Sequence, residues 1–281
     1  MQVNINQSIS GINFIFLNKM QEMKFGICLN PIVPLRAAPK EKSEMTDQVL
    51  FGEDFQILEV SDRWKYIRRN SDGYEGWLNS QYYLQCSEDE INQLQEAPSY
   101  ILPLPFTRLT VGNNSLILPA GSILPSFERE NKIFRIGDHD YSLLDSLMEN
   151  KKDKRSLIEE TALQFINAPY LWGGKTIFGM DCSGFTQIIY RIAGIAIPRD
   201  SHQQVNFGTT VSFIEEAQTG ELAFFSNDEG RITHTGIMLE GGRIIHASGK
   251  VRMDPIDQQG IYNRELKRYT HRLRVVKRMI E

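Results

Sequence analysis

A five-residue motif, Asp181-Cys182-Ser183-Gly184-Phe185, constrains the fold of this chain more than any other stretch of its sequence. Apolar side chains recur at i, i+3, i+4 and i+7 counted from Phe185, which predicts an amphipathic helix with one buried face. Asp181 and Ser183 are both suitable residues to cap the start of that helix. Cys182 is therefore expected in the first turn, where the positive end of the helix dipole favours a thiolate over a thiol.

Cys182 permits two interpretations. A thiolate is a strong nucleophile, and the start of a helix suits covalent catalysis. Free cysteines, however, are among the most buried residue types and often only fill space in a core. The motif alone leaves both open, so the choice depends on partners elsewhere in the chain.

Length, charge and cysteine content set the broad class. A chain of 281 residues exceeds one average domain, and two or three domains are expected. The net charge is -4, and no basic cluster is dense enough to indicate a nucleic-acid partner; the basic stretch 264–278 is interpreted as a solvated face. Cys28 and Cys86 could pair, but we expect two reduced, buried thiols.

The first 23 residues fit no element and are left unassigned, and Met23 is a candidate for the true start. Their longest apolar run is Phe14 to Leu17, whereas a signal peptide needs an apolar region of ~7–15 residues. No segment is long enough to span a bilayer. We therefore expect a cytoplasmic monomer without a membrane partner, with export as the alternative if the start codon is misassigned.

Two β-rich segments precede the cysteine motif. Residues 24–90 contain short alternating runs and the turn signal Asp72-Gly73, which predicts a small β-barrel. The order Gly52-Glu53, Trp64, then Gly73-Tyr74-Glu75-Gly76-Trp77 resembles the bacterial SH3-like domain. Residues 97–146 have a weaker pattern of short strands and turns, from which we expect a second SH3-like barrel. The charged stretch 149–155 is interpreted as the linker that follows.

Residues 153–281 are predicted to form an α+β domain. Ser156 and Glu159 have the spacing of a capping box, and the helix that they begin should end before Pro169. Strand-like stretches at 222–225, 235–239 and 243–247, and another from Leu273, come after the helices. Helices followed by strands favour an antiparallel sheet packed against the helices.

Two histidines are candidate partners for a cysteine nucleophile, which needs a base and a group that orients the base. If the hairpin loop centres on Glu240, His234 and His246 pair directly across it and share a face. A loop shifted by one residue is expected to put them on opposite faces. In the alternative interpretation each histidine packs by itself.

Metal binding is the other common use of cysteine and histidine. Structural zinc sites usually have two ligands close in sequence, as in CxxC or HxxxH, and the chain contains no such pair. His139 and His202 also have no partner at ligand spacing. No metal and no cofactor are expected.

Four sequence blocks in order carry a specific resemblance to a known family. They are Tyr170-Leu171-Trp172-Gly173-Gly174, the cysteine motif, His234-Thr235-Gly236-Ile237 and Ile245-His246-Ala247-Ser248. Over about residues 153–280 the chain resembles the NlpC-type cell-wall cysteine peptidases, which have a papain-like fold. With two SH3-like modules in front, it is similar to the γ-D-glutamyl-L-diamino-acid endopeptidases, which act on murein peptides with a free N-terminal L-Ala.

The resemblance implies a role for each catalytic candidate. Cys182 would attack the γ-D-glutamyl carbonyl, and His234 would act as base and then as acid toward the leaving amine. His246 would hold the His234 ring in the correct tautomer. Tyr170 would donate its hydroxyl to the oxyanion, or would only be a packed aromatic residue.

The resemblance also implies a substrate pocket for L-Ala-γ-D-Glu, which carries a free ammonium and a free carboxylate. Asp181 would face the ammonium, while Ser183 and Ser201 would bind the D-Glu carboxylate. In the structural alternative these three residues only cap helices or turns. The other expected pocket residues are Trp172, as a wall, and Glu44 and Tyr74 from the first barrel; Glu44 could instead be a solvated surface residue.

Three functions follow as hypotheses. The leading one is a peptidase that trims murein peptides for recycling. The alternatives are a secreted endopeptidase on intact cell wall, with the SH3-like modules as anchors, and a non-catalytic wall-binding protein. The third residue of the substrate, diaminopimelate or lysine, cannot be chosen from the sequence.

Overall fold

The computed structural model describes residues 24–147 and 153–280. The expectations for residues 1–23, and for most of the linker at 149–155, fall outside them. Within the described ranges no helix is both long and apolar enough to cross a membrane. The described chain consists of two β-rich regions followed by an α+β region, so the predicted α+β class is confirmed.

The first β-rich region is a seven-stranded antiparallel sheet in the order β3-β2-β6-β5-β4-β1-β7. Its core is small and apolar, and Phe55, Ile67 and Leu78 are buried in it. The predicted turn at Asp72-Gly73 is present, and Gly73 has the positive φ of +72° that favours glycine. The strands are β1 Phe25–Cys28, β2 Ile32–Arg36, β3 Met45–Leu50, β4 Asp54–Ser61, β5 Trp64–Arg69, β6 Glu75–Asn79 and β7 Tyr83–Cys86.

A helix that the sequence interpretation missed, α1 Glu88–Glu96, follows the first region. Ser87 caps it, and Glu90 completes a capping box by accepting a hydrogen bond from the Ser87 backbone N–H. This signal was present in the sequence at the end of the predicted barrel.

The second β-rich region forms two small sheets, β10-β9-β13-β12 and β11-β8. Its core is continuous with the first region, because Ile27, Phe51 and Cys86 pack against its buried residues. Its likeness to an SH3 domain stays a prediction. Its strands are β8 Tyr100–Ile101, β9 Phe106–Val111, β10 Asn114–Pro119, β11 Ile123–Leu124, β12 Ile133–Ile136 and β13 His139–Leu143.

The α+β region has three helices, α2 Lys154–Leu163, α3 Cys182–Ile192 and α4 Ser201–Gln204. Its strands are β14 Lys175–Thr176, β15 Gly179–Met180, β16 Thr209–Val211, β17 Leu222–Ser226, β18 Ile232–Leu239, β19 Arg243–Ser248, β20 Lys250–Asp257, β21 Gly260–Asn263 and β22 Arg268–Arg278.

The large sheet of this region closes on itself. Its order is β16-β22-β17-β18-β19-β20-β21, and β21 also pairs with β22, so six strands form a barrel. Side chains alternate between its two faces. The outer face of β17–β19 packs on α2 and α3, and the inner face forms a separate apolar core from residues such as Ala223, Met238 and Ile256.

Helix α2 differs from the prediction at its start. Asp153 is the N-cap and accepts hydrogen bonds from the backbone N–H groups of Arg155 and Ser156. The predicted capping box at Ser156 and Glu159 is therefore wrong, because the carboxylate three residues earlier already satisfies these donors. The helix ends at Leu163, ahead of Pro169 as expected.

The first barrel and the α+β region meet through what we call the interface ion cluster. Four carboxylates face four basic side chains in it: Asp47, Glu53, Asp72 and Asp181, and Arg69, Lys175, Arg191 and Arg199. Asp47, Arg69, Lys175 and Arg199 are each at most 1% exposed in their side chains. Buried charges are tolerated when they are paired, so this arrangement depends on both domains being in contact.

Backbone contact is equally close at Gly173. Its φ is +74°, and a Cβ atom there would lie 2.3 Å from the Met45 carbonyl oxygen of the first barrel. Only glycine permits this approach. Gly173, the first glycine of the pair ahead of the cysteine motif, therefore serves the docking of the first barrel.

Candidate active site

Cys182 is the first residue of α3, and Asp181 is its N-cap, so the predicted helix and its start are confirmed. The Asp181 carboxylate accepts a hydrogen bond of 2.7 Å from the Gly184 backbone N–H. Behind Cys182, the apolar face of α3 is completely buried against the sheet. The helix therefore holds the thiol at a fixed point.

The expected thiolate is wrong for the resting protein. Burial raises the pKa of the Cys182 thiol to about 11, and the nearby Asp181 carboxylate adds to this effect. The backbone amides of Thr235 and Ser183 act in the opposite direction but do not overcome burial. The resting side chain is therefore a thiol, which needs a base at the moment it reacts.

His234 and His246 lie on neighbouring strands and contact each other. The hairpin loop centres on Gly241 rather than Glu240, since Leu239 pairs with Arg243. The two histidines are thus diagonal, and His234 Nε2 lies 2.8 Å from His246 Nδ1. When the centre of a hairpin loop moves by one residue, each residue pairs with a partner two positions away, so His234 and His246 stay on the same face of the sheet. The expectation that a shifted loop would put them on opposite faces is therefore wrong.

A glycine makes room for this pair. A Cβ atom on Gly236 would lie 2.8 Å from the His246 Cβ atom, so any larger residue would displace the His246 ring. The sequence His234-Thr235-Gly236 thus supplies both a histidine and the space for its partner.

The contacts continue beyond His246. His246 Nε2 lies 3.1 Å from Asp254 Oδ2, and Arg252 donates to both oxygens of Asp254 at 2.7 and 3.0 Å. The His271 ring stacks on His234 with centroids 4.1 Å apart. We call these five residues, His234, His246, Asp254, Arg252 and His271, the histidine network; they project from β18, β19, β20 and β22.

Burial keeps the three imidazoles uncharged. It lowers the pKa of His234 well below 6.5, and neighbouring His246 and His271 lower it further. Burial also lowers the pKa of His246, against the opposing effect of Asp254, and that of His271 to about 4. At neutral pH each ring therefore has one N–H donor and one free lone pair.

A cleft of about 500 Å³ lies in front of Cys182. Seven of the predicted site residues line this cleft: Glu44, Tyr74, Trp172, Asp181, Cys182, Ser183 and Ser201. The other lining residues are Thr46, Asp200, His202, Ile232 and Thr233.

Asp181 and Ser183 share one buried cation. Arg199 donates to both oxygens of Asp181, at 2.9 and 2.6 Å, and to the Ser183 hydroxyl oxygen at 2.9 Å. Asp181 also accepts from the Gly173 backbone N–H at 2.9 Å. Asp181 therefore caps α3, and its charge is paired with Arg199; its role toward a substrate ammonium stays a prediction.

Asp200 is the cleft carboxylate that lacks a partner. It precedes α4, and in the described part of the chain no hydrogen bond or ion pair involves its side chain. Burial raises its pKa, although Arg199 acts in the opposite direction. Ser201, the next residue, places a hydroxyl group in the same cleft.

The first barrel forms the opposite wall of the cleft. Trp172 Nε1 donates a hydrogen bond of 2.7 Å to Glu44, which links the two domains at the surface. Tyr74 donates to the Thr46 carbonyl oxygen at 3.4 Å, and burial, with Asp200 as the next cause, raises its pKa to about 12. Glu44 and Tyr74 are therefore both at the place predicted for them.

Tyr170 does not line the cleft, but it lies within the electrostatic influence of Cys182. Its side chain is 37% exposed. Burial raises its pKa to about 12, and Cys182, which is ionised only at high pH, adds to this effect, so the Tyr170 hydroxyl stays protonated at neutral pH and can donate. Its contact with the oxyanion stays a prediction.

The three histidines also form a cluster that spacing along the chain did not reveal. One ring nitrogen from each of His234, His246 and His271 lies within 4.8 Å of the others. A metal ion there would have to displace the 2.8 Å contact between His234 and His246. The expectation of no metal stays a prediction.

A thiol at the start of a helix that packs on the strands carrying a buried histidine pair, on a helix-and-barrel scaffold, defines a papain-like cysteine peptidase. The sequence profile of the NlpC/P60 family matches residues 167–270, and that of the bacterial dipeptidyl-peptidase Sh3 domain matches residues 35–81. The chain belongs to the NlpC/P60 family and is a hydrolase of peptide bonds, which confirms the family and enzyme predictions.

Curated relatives extend over both parts of the chain. A gamma-D-glutamyl-L-lysine dipeptidyl-peptidase of Bacillus subtilis (strain 168) is 30% identical over 235 residues, which cover 78% of each chain. Dipeptidyl-peptidase 6 of Lysinibacillus sphaericus is 27% identical over 259 residues, covering 83% of this chain and 92% of its own.

Among solved structures, an NlpC/P60 family protein from Bacillus cereus (ATCC 10987) superimposes with a TM-score of 0.77 at 20% identity. It covers 92% of this chain and 100% of its own. At that identity the likeness shows the fold alone.

Proposed function

We propose that this enzyme hydrolyses the γ-D-glutamyl-L-diamino acid bond of murein peptides that begin with a free L-Ala. The observation that carries the proposal is the composition of the cleft. Glu44 and Tyr74 of the first barrel, together with Asp200, lie in one cleft with Cys182. The names of the two curated relatives, which specify dipeptidyl-peptidases, agree with it.

The catalytic steps follow from the histidine pair. His234 takes the Cys182 proton as sulfur attacks the scissile carbonyl, which is necessary because the resting thiol has a raised pKa. The resulting imidazolium protonates the leaving amine, and a water molecule then hydrolyses the thioester. Tyr170 and the Cys182 backbone N–H are the proposed donors to the oxyanion.

The D-Glu carboxylate is proposed to bind Ser183 and Ser201. Both hydroxyl groups line the cleft, and the Ser183 oxygen already accepts a hydrogen bond from Arg199. Its hydroxyl proton is donated to Asp181 at 3.4 Å, a long contact that a substrate carboxylate would replace, while the Arg199 guanidinium supplies positive charge at the site.

The substrate ammonium is proposed to lie between Asp200 and Glu44, with Trp172 and Tyr74 beside it. Asp181 was the expected counter-charge, but its carboxylate is paired with Arg199. Asp200 is half-buried and has no partner, so an arriving ammonium would lower its raised pKa and stabilise the charged form. A blocking group on the amine would lie where the first barrel stands.

This pocket supports a role in recycling free peptides. The location in the cytoplasm and the monomeric state are separate proposals that rest on the sequence alone. In the competing hypothesis the enzyme is a secreted endopeptidase on intact cell wall and the SH3-like modules are wall anchors. The interface ion cluster favours the first proposal, because Asp47 and Lys175 are buried charges paired across the contact between the first barrel and the α+β region, which makes the barrel part of the cleft wall.

Charge-neutralising variants test the amine site. We expect Asp200→Asn and Glu44→Gln each to lower kcat/KM on a free L-Ala tripeptide by about 30- to 700-fold, equivalent to ~2–4 kcal/mol. The matched control is Glu41→Gln, a surface glutamate of the same segment that contacts Arg36 and Arg63. If both cleft variants behave like the control, the amine site is not where we place it.

A further inference from the structure

We propose that Asp254 is a positioning residue that sets the tautomer of both His246 and His234. It reaches neither the thiol nor the cleft, and it would act only through the hydrogen bonds of the histidine network. The inference rests on the proposed roles of His234 and Cys182, and it adds to them a residue that determines which ring nitrogen of His234 is the base.

The argument starts at Arg252, whose guanidinium can only donate. It donates to both oxygens of Asp254, which is 4% exposed, so the carboxylate is held in its ionised form. An ionised carboxylate can only accept hydrogen bonds. The proton between Asp254 Oδ2 and His246 Nε2, 3.1 Å apart, must therefore belong to His246.

The same rule then fixes His234. A neutral imidazole with a proton on Nε2 has its lone pair on Nδ1. His246 Nδ1 is thus an acceptor, and His234 Nε2, 2.8 Å away, must be the donor. The only lone pair left on His234 is on Nδ1, the ring nitrogen available to the thiol.

If the direction of these hydrogen bonds were reversed, His234 could not act as the base. If His246 carried its proton on Nδ1, that proton would be donated to His234 Nε2, and His234 Nδ1 would carry an N–H. A ring in this tautomer presents a donor, and it cannot take the thiol proton. Both tautomers keep the 2.8 Å contact, so packing of the two rings alone does not select between them.

The position of Arg252 leads us to expect the reversed tautomers when Asp254 is removed. Its Nε atom and His246 Nε2 contact the same oxygen of Asp254, at 2.7 and 3.1 Å. In Asp254→Ala the Arg252 guanidinium, which is a donor, is left beside the position of that oxygen, and this favours a lone pair on His246 Nε2. The other charged and titratable neighbours are His271, stacked on His234, and Glu265, which pairs with Arg252 at 3.2 Å.

The test compares three full-length variants: Asp254→Ala, Arg252→Met and the double variant. We expect Asp254→Ala to lower kcat by about 10²- to 10⁴-fold with KM little changed, the range that general acid–base catalysis contributes. Arg252→Met should have a small effect, and the double variant should recover activity relative to Asp254→Ala, because the competing donor is gone.

Two-bond ¹H–¹⁵N spectra of the imidazoles give a readout that a purely structural role would not move. The wild type should show protons on Nε2 of both histidines, and Asp254→Ala should show them on Nδ1. Asp254→Asn, which keeps an acceptor oxygen, serves if the alanine variant does not fold, and it should lie between the two. The surface variant Asp257→Asn, on the same strand, is the control.

Unchanged tautomers in Asp254→Ala, or a folded double variant that is no more active than the single one, would overturn the proposal. The spectra do not depend on any peptide substrate. A failure of the proposed function would appear instead as a wild type that does not cleave the murein peptide, whatever the tautomers are.

Discussion

Two buried polar networks adjoin Cys182, and they differ in charge. The interface ion cluster consists of charged groups in matched numbers and reaches Cys182 through Asp181, the cap of its helix. The histidine network lies on the sheet that the cysteine helix packs against, next to Thr235, whose backbone N–H lowers the pKa of the Cys182 thiol. Its imidazoles are uncharged, and its charged members are Asp254 and Arg252.

The difference separates two tasks. The ion cluster fixes positions. Burial acts to raise the pKa values of Asp47 and Glu53, but Arg69 and Lys175 lower both below their usual range, so these two carboxylates stay ionised at neutral pH. The histidine network has rings that can gain and lose a proton, and its one carboxylate, Asp254, is proposed to determine which ring nitrogens carry the protons. We infer that the first holds the first barrel and the cysteine helix, and the second moves the proton.

The largest effect on activity is expected at Cys182, which lies next to both networks. Cys182→Ala should abolish peptidase activity, since triad losses are typically ~10⁴-fold or more, while the free energy of unfolding changes little. The measurement is turnover of a murein tripeptide beside urea unfolding. Cys86→Ala, a buried cysteine away from the cleft, is the matched control and should stay active. Residual activity above about one per cent would reject Cys182 as the nucleophile.

Removing one charge from the interface ion cluster should mainly lower the free energy of unfolding. Arg199→Met leaves Asp47 and Asp181 with one partner fewer in a buried site, and we expect a loss of about 3–5 kcal/mol in the free energy of unfolding. The measurement is urea unfolding at neutral pH.

Arg68→Met is the control, because Arg68 forms an exposed pair with Glu75 that should contribute at most ~1 kcal/mol. Equal losses for both arginines would show that the cluster is not a special structural element.

The smallest expected effect is on the pH dependence of stability, which should differ between the two networks. Histidines with lowered pKa values bind protons more readily in the unfolded state, so stability should fall as pH drops from 6.5 to about 4, the value for His271. Carboxylates with lowered pKa values contribute above their unfolded value, so a second loss should follow as pH drops from 3.8 to about 2, the value for Asp72.

Urea unfolding at a series of pH values would resolve the two losses. His271→Gln should reduce the first and leave the second, whereas Asp72→Asn should do the reverse. A single loss that both variants change equally would mean that the networks are not separate.

The sequence predicted the parts of this molecule that have local signals. The cysteine helix follows from apolar spacing after Phe185, and the first barrel from its turn at Asp72-Gly73. The thiolate was wrongly expected because a dipole argument does not include burial, which only the packed structure supplies.

The contacts between distant segments had no such signal. Arg199 and Asp47 are 152 positions apart in sequence, and nothing in either segment marks an ion pair. Asp254 and His271 come from strands whose register decides whether they reach the histidine pair. Asp200 was visible beside Ser201, but its lack of a partner depends on Asp181 having taken Arg199.

The central claim is that the first barrel is a fixed wall of the cleft, so that only a free amine fits. The direct measurement is kcat/KM of the wild type on an L-Ala-γ-D-Glu-L-diamino acid peptide and on the same peptide with its L-Ala nitrogen acylated. We predict a preference of about 30- to 700-fold or more for the free amine, because acylation removes the charge that Asp200 and Glu44 would pair. Comparable values on the two peptides, with Glu44→Ala silent on both, would contradict the account and favour an open cleft that acts on intact cell wall.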